Sequence, residues 1–151
     1  MPEVGIVLGS KSDSDLLEPC TQVLERMGIA YETEVASAHR NPERAAEFAR
    51  GARERGLKVI IAMAGLSAAL PGVLAAHTTL PVIGVPVQAG ALAGIDALLS
   101  MVQMPRGIPV ATVAIGKGGA VNAALLAAAI LGVEDASIAR NLSTYREEWS
   151  K

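Results

Sequence analysis

A histidine and an arginine stand side by side in the stretch Ser37-Ala38-His39-Arg40-Asn41-Pro42. His39 is one of only two histidines in the chain, and histidine is the side chain that ordinarily titrates near neutral pH. Arginine presents a planar fork of donors that suits phosphate or carboxylate. The pair therefore indicates proton transfer beside a bound anion. The alternative is a surface histidine that caps a helix and an arginine that pairs with a nearby glutamate.

A second polar stretch, Gly9-Ser10-Lys11-Ser12-Asp13, follows an apolar run and opens a helix. Backbone N–H groups in such a turn can receive an anion with help from the helix dipole. The hydroxyls of Ser10 and Ser12 and the carboxylate of Asp13 suit a phosphate and a ribose hydroxyl. The alternative is a plain helix cap at Ser12 or Asp13. Neither a G-x-G-x-x-G nor a G-x-x-x-x-G-K-[ST] pattern is present, which argues against dinucleotide binding and nucleoside triphosphate hydrolysis.

Three further features carry weaker signals. The small residues at 64–72 would let backbone approach a ligand, although close packing of a helix on a sheet explains them equally well. The segment 103–107 follows a helix and could cover a site in this subunit or the next, or simply end the helix. His77 is interpreted as a structural residue or a helix C-cap.

Other kinds of chemistry find no support in the sequence. Two histidines and one cysteine, far apart, form no metal-ligand cluster. A G-x-S-x-G nucleophile elbow is absent, and Cys20 falls on the apolar face of a helix, which argues against covalent catalysis. The remaining chemistry is acid–base catalysis by His39 in a phosphate-anchored site.

Apolar runs alternate with helical patterns along the whole chain. The predicted strands are at 4–8, 29–35, 58–64, 81–86 and 110–114. The predicted helices are at 12–27 (with a kink or late start at Pro19), 42–56, 95–102, 120–131 and from 134 onward, and the stretch 65–72 is predicted to turn into a further helix that reaches about residue 78. This order predicts an α/β fold with a doubly wound, parallel five-stranded sheet. Ligands of such sheets bind at the carboxyl ends of the strands, where the two polar stretches lie.

The last helix has an apolar stripe on an otherwise polar surface. Its members, Ile138, Leu142, Tyr145 and Trp149, recur at spacings of four, three and four. Such a stripe needs a surface to pack against. Residues 133–151 are therefore predicted to pack on their own domain or on a neighbouring subunit.

The composition narrows the class of protein. A chain of 151 residues is the size of one domain, predicted to span 1–151. The net charge of −2 offers no basic field for nucleic acid or an anionic membrane.

The sequence also predicts where the protein is found. No apolar run approaches the roughly 20 residues of a membrane helix, and no secretory signal is recognised at the N-terminus. The single cysteine favours the cytoplasm. The positive mean hydropathy indicates apolar surface buried between subunits, a large alanine-rich core, or both.

Together these stretches closely resemble the class I N5-carboxyaminoimidazole ribonucleotide mutases of purine biosynthesis. The similarity covers nearly all of residues 4–132, with the motifs in the order and spacing of the family. They read GSKSD at 9–13, SAHRNP at 37–42, PVIGVPVQ at 81–88, SMVQMPRGIPVAT at 100–112 and NAALLA at 122–127. The run at 103–112 is the most specific of them.

The resemblance implies a three-layer flavodoxin-like domain assembled as a homo-octamer, working without metal, ATP or organic cofactor. It implies transfer of a carboxylate from the exocyclic nitrogen of an aminoimidazole ribonucleotide to ring carbon C4. By position, His39 would be the catalytic proton-transfer residue. The implied substrate-binding residues are Ser10, Ser12, Asp13, Ser37 and Arg40.

One loop departs from the family pattern. Ala69 stands where these mutases usually carry histidine, and Leu66-Ser67 and Ala69-Leu70 are similar to class II relatives, which carboxylate aminoimidazole ribonucleotide directly with CO₂. His39-Arg40 and Gln103-Met104-Pro105 follow the class I pattern and favour the mutase. The alternatives are the direct carboxylase and a non-enzymatic flavodoxin-like module that binds a phosphate ligand.

Overall fold

Five parallel strands form one sheet in the order β2-β1-β3-β4-β5. The computed structural model describes all 151 residues, Met1–Lys151. The strands are β1 Val4–Leu8, β2 Tyr31–Val35, β3 Val59–Ala64, β4 Val82–Pro86 and β5 Ala111–Thr112. The predicted doubly wound parallel sheet is confirmed.

Six α-helices connect and flank these strands. They are α1 Leu17–Met27, α2 Pro42–Gly51, α3 Leu70–Ala76, α4 Ile95–Val102, α5 Lys117–Leu131 and α6 Ala136–Trp149. A short 3₁₀ helix, Lys11–Leu16, precedes α1. None of the helices is long and apolar enough to cross a bilayer.

The central strands are buried on both faces because side chains alternate across a strand. On one face, Ile6, Ile61 and Ile83 pack with α1, α5 and α6. On the other face, Val7 and Ile60 pack with α2, α3 and α4. The sheet is therefore the middle of three layers. The helices cover its two faces, and the loops lie at the ends of its strands.

The helix boundaries follow local signals in most places. Asn41 caps α2 by accepting a hydrogen bond from the Arg44 N–H at 3.3 Å, and Pro42 occupies the first turn, as predicted. The late start at Pro19 is also confirmed, since α1 begins only at Leu17. Gly28 ends α1 with φ +76°, a left-handed conformation that glycine adopts without strain.

Two expectations at the end of the sheet were wrong. Strand β5 pairs with β4 only at Ala111 and Thr112, not over 110–114, and α5 begins at Lys117 rather than at residue 120. The intervening chain still bonds to β4, since the Val113 N–H donates to the Gly84 carbonyl at 3.0 Å and the Gly116 N–H to the Pro86 carbonyl at 2.9 Å. These bonds hold the chain beside β4 as far as Gly116, the residue before α5.

Helix α6 packs on its own chain along most of the apolar stripe. Ile138 is buried, and Leu142 and Tyr145 pack against the core formed with α1 and α5. The Asn141 side chain donates to the Met27 carbonyl at 3.0 Å, and Arg26 lies over the Tyr145 ring. Trp149, at the end of the stripe, is 75% exposed.

Candidate active site

A cavity of about 350 Å³ opens at the carboxyl edge of the sheet, among the loops that follow β1, β2, β3 and β4. This is the edge at which parallel sheets bind ligands. The six residues named from the sequence as catalytic or substrate-binding all line it: Ser10, Ser12, Asp13, Ser37, His39 and Arg40. Residues up to 30 positions apart in sequence thus surround one space.

The loop after β1 is held in shape by its own hydroxyls. The Ser10 and Ser12 Oγ atoms lie 2.9 Å apart, and the Ser12 N–H donates to Ser10 Oγ at 3.3 Å. Ser10, rather than Ser12 or Asp13, is therefore the cap of the 3₁₀ helix. The Gly9 N–H donates to the Met63 carbonyl at 2.9 Å, which fixes the loop to the end of β3. The resulting turn presents hydroxyls and backbone N–H groups to the cavity.

Asp13 is the one buried charged residue of the protein, with 7% of its surface exposed. Burial raises the pKa of its carboxyl above the usual value, and a backbone hydrogen bond from Ser10 acts in the opposite direction. A carboxyl group that is buried at the wall of a cavity, where its charged form is disfavoured, is typical of a functional position. It can accept hydrogen bonds from a hydroxyl-bearing ligand.

The loop after β2 presents His39 and Arg40, both exposed toward the cavity. The Ser37 hydroxyl accepts a hydrogen bond from the Arg40 N–H at 3.1 Å, and the Asn41 N–H donates to the Ser37 carbonyl at 2.9 Å. Ser37 therefore shapes the turn that carries the histidine and the arginine.

Neither of the alternative roles for this pair is present. The helix cap is Asn41, not His39. Arg44, not Arg40, forms the ion pair with Glu34, and Arg40 has no carboxylate partner within the chain. An arginine without an intramolecular partner is available to bind an anion.

The rest of the cavity is a wall of small residues that the sequence suggested only weakly. The loop after β3 supplies Ala64, Gly65, Leu66, Ser67, Ala68, Ala69 and Leu70, and the loop after β4 supplies Ala89. A Cβ on Gly65 would lie 3.3 Å from the Val87 Cβ and 3.4 Å from the Ala89 Cβ. The two loops thus pack closely, and the only sequence signal for this wall is its run of small residues.

Several other residues flagged in the sequence do not reach the cavity. Met104 packs on α3, where a Cβ on Gly72 would lie 3.1 Å from the Met104 sulfur, so the segment 103–107 does not line the cavity of its own chain. His77 is the exposed C-cap of α3. Cys20 is buried, and burial raises the pKa of its thiol to about 12, consistent with an inert core residue.

The chemistry available in the cavity follows from these groups. The hydroxyls of Ser10, Ser12 and Ser37, a turn of N–H groups and Arg40 can hold an anion. Asp13 can accept from hydroxyls, and His39 can move a proton. The chain has no cluster of three or more side chains able to hold a metal ion.

Comparison with known proteins finds relatives that match nearly the whole chain. The family model described as AIR carboxylase matches residues 3–151. N5-carboxyaminoimidazole ribonucleotide mutase from Bacillus subtilis is 58% identical over 146 residues, covering 97% of this chain and 90% of that protein. The mutase from Pyrococcus abyssi is 56% identical over 151 residues, covering 100% of this chain and 86% of that protein.

A solved structure shares the fold. The crystal structure of Treponema denticola PurE matches with a TM-score of 0.88 and 33% identity, covering 99% of this chain and 92% of that one. The similarity therefore extends over the sheet, its flanking helices and the loops that form the cavity.

Proposed function

The chain belongs to the AIR carboxylase family, and from that premise we propose that it interconverts N5-carboxyaminoimidazole ribonucleotide and 4-carboxy-5-aminoimidazole ribonucleotide in purine biosynthesis. The observation that carries the proposal is that His39 and the unpaired Arg40 line one cavity together with the loop after β1. The relatives named as mutases, at 56–58% identity over nearly the full chain, favour the mutase over the direct carboxylase and over a non-enzymatic binding module.

The phosphate end of the substrate binds to the loop after β1 and to Arg40. Ser10 and Ser12 donate hydroxyl hydrogen bonds to phosphate oxygens, and Arg40 supplies the positive charge. Asp13 accepts from a ribose hydroxyl. Ser37 acts mainly by holding the turn of the loop after β2, through its hydrogen bond from the Arg40 N–H.

His39 carries the proton in both halves of the reaction. Protonation of the exocyclic nitrogen by the imidazolium lets its C–N bond to the carboxylate break, which releases CO₂ and leaves an electron-rich aminoimidazole. Ring carbon C4 then attacks CO₂ and forms the new C–C bond. The proton that C4 bore returns to the neutral imidazole of His39, so the reaction is an isomerisation without net proton change.

The small-residue wall explains how CO₂ is retained between the two steps. The methyl side chains of Ala68, Ala69 and Ala89 leave room for CO₂ beside the ring. They also place no charged group next to it. Confinement keeps CO₂ near C4 at a high effective concentration. Ala69, in place of the histidine usual in the class I mutases, leaves His39 as the single histidine of the cavity.

An assay with two alternative substrates tests this function directly. The purified protein is given N5-carboxyaminoimidazole ribonucleotide alone, or aminoimidazole ribonucleotide with bicarbonate, and formation of the 4-carboxy product is followed. We expect efficient turnover only of the N-carboxylated substrate. Turnover only of the second mixture would establish the direct carboxylase. A purified protein that is yellow and inactive with both would favour the binding module.

We further propose that the protein works as a homo-octamer in the cytoplasm, without a cofactor. Four large apolar side chains at α4 and just before it, Leu92, Ile95, Leu99 and Val102, are about half exposed. A monomer seldom exposes such a group to water. The segment 103–107, which packs away from its own cavity, would then border a neighbouring subunit.

A further inference from the structure

The wall formed by the loop after β3 contains one polar side chain, the hydroxyl of Ser67. Ser67 is exposed to the cavity. Its carbonyl accepts from the Ala69 N–H at 2.7 Å, whereas its hydroxyl has no hydrogen-bond partner within the chain. Both the donor and the acceptor capacity of this hydroxyl are therefore available to a ligand.

Leu66, the residue before it, holds an unusual backbone conformation. Its φ is +56°, a left-handed value that a branched side chain adopts only when its surroundings impose it. The Leu66 carbonyl accepts from the Ala68 N–H at 2.9 Å, so the chain turns sharply here. This turn sets the direction in which the Ser67 side chain projects from the loop.

A contact with the neighbouring loop accompanies this turn. The Leu66 side chain lies over Gly90 in the loop after β4, where a Cβ would be 2.7 Å from the Leu66 Cδ2. Gly90 itself has φ +71°. The contact joins one wall of the cavity to the next loop, and a side chain at residue 90 would displace the end of the Leu66 side chain.

From these contacts we propose that Ser67 binds the carboxylate of the substrate and product, and that Leu66 is a positioning residue for Ser67. The inference rests on the proposed function. With the phosphate held by the loop after β1 and Arg40, the imidazole end extends to the remaining wall, where Ser67 alone offers a side-chain donor. Its O–H donates to the carboxylate, so Ser67 distinguishes carboxylated from uncarboxylated ribonucleotides.

The test compares two ligands that differ only in the carboxylate. Dissociation constants for 4-carboxy-5-aminoimidazole ribonucleotide and for aminoimidazole ribonucleotide are measured by calorimetry on wild type, Ser67→Ala and Ser67→Thr. Since a hydrogen bond to a charged group is lost, Ser67→Ala should weaken the carboxylated ligand about tenfold or more and leave the other nearly unchanged. Ser67→Thr, which keeps the hydroxyl, should retain much of the difference.

Ser12→Ala is the matched control, because its hydroxyl lies on the phosphate side of the cavity. It should weaken both ligands by the same factor. Ser67→Ala weakening both ligands equally, or neither, would overturn the assignment. If the wild type failed to interconvert the carboxylated ribonucleotides, the proposed function would fall, while the two-ligand comparison would still decide whether Ser67 recognises a carboxylate.

Leu66→Gly tests the positioning role, since glycine allows the same turn but removes the packing on Gly90. We expect the same ligand-selective loss as in Ser67→Ala, with a smaller factor. The double variant should bind the carboxylated ligand no more weakly than Ser67→Ala alone, because both changes act through one hydroxyl. Additive losses, or a lowered melting temperature with unchanged ligand selectivity, would show that Leu66 is only structural.

Discussion

His39 and Arg40 are adjacent in sequence, yet their side chains are suited to separate tasks. Histidine exchanges a proton near neutrality, whereas arginine stays charged and binds anions. Neither has another role within the chain, because Asn41 caps α2 and Arg44 pairs with Glu34. Substitutions at the two positions should therefore affect different kinetic constants.

We expect His39→Asn to lower kcat by about 10²–10⁴-fold, the usual contribution of a general acid–base group. Asparagine keeps much of the shape and polarity but cannot exchange the proton. The dissociation constant of the product should stay close to that of wild type. A loss that lies entirely in binding would contradict the proton-transfer role.

Arg40→Ala should have the opposite signature. Losing a charge-assisted contact to phosphate should raise KM by roughly 10- to 100-fold, with a smaller change in kcat. Arg140→Ala, which removes an exposed arginine on α6 that does not line the cavity, serves as the matched control in steady-state kinetics. Arg40→Ala with an unchanged KM would remove Arg40 from the substrate site.

Asp13→Asn should separate stability from function. The folded-state pKa of Asp13 is raised by burial, so the folded state holds this proton more tightly than the unfolded state does. The tighter binding of this proton stabilises the folded state fully below the pKa that Asp13 has in the unfolded chain. This stabilisation is lost as the pH rises through the pKa of Asp13 in the folded state. An ionised carboxylate at this position therefore costs stability, and asparagine removes that cost.

The measurement is the melting temperature of wild type and Asp13→Asn at pH 7 and at pH 4, together with KM. The variant should melt at the same or a higher temperature at pH 7, with the difference shrinking at pH 4, while KM rises. A variant that is markedly less stable at pH 7 would mean that the carboxylate stabilises the fold.

At the scale of the elements, the turn from β5 into α5 depends on one close backbone approach. A Cβ on Gly119 would overlap the carbonyl oxygen of Ala114 and lie 2.6 Å from its carbonyl carbon. Gly119 is buried in the first turn of α5. Any side chain there must push the helix away from the sheet.

Gly119→Ala should therefore destabilise the protein by about 1–3 kcal/mol or more, the range for overpacked sites. Gly118→Ala is the control one residue away, since a Cβ there meets nothing within 4 Å. Gly118→Ala should leave the stability unchanged or raise it by up to about 1 kcal/mol, because alanine has a higher helix propensity than glycine. Melting curves at equal protein concentration compare the two, and equal effects would refute the steric argument.

At the scale of the whole molecule, two apolar surfaces lack a partner within the chain. One is the exposed face of α4 with Leu92. The other is a groove between α5 and α6 that is lined by Val121, Leu125 and Trp149. These surfaces support the proposed assembly.

We expect light scattering to give a mass about eight times that of one chain. Leu99→Glu should reduce that mass and lower activity, because a charge in an apolar interface is costly. Val133→Glu is the matched control, since Val133 is exposed but lies beyond the end of α5, apart from both surfaces. A wild-type monomer with full activity would rule out the assembly.

The sequence alone determined the fold class and indicated which residues would line the candidate site, because both follow from local patterns. The apolar runs of the buried strands, the bounds of α4 and the Asn41-Pro42 helix start depend on residues close together in the chain. His39 and Arg40 stood out by type, and the alternation of strands and helices indicated the sheet edge on which they lie.

Only the tertiary structure decided features that depend on contacts between distant segments. The path of the chain between β5 and α5 depends on backbone bonds to β4 and on the approach of Gly119 to Ala114. The left-handed Leu66 lies over Gly90, 24 positions further along the chain. The burial of Asp13 likewise requires loops from separate strands to meet. No local pattern records these contacts, because each is made by residues that only the folded sheet brings together.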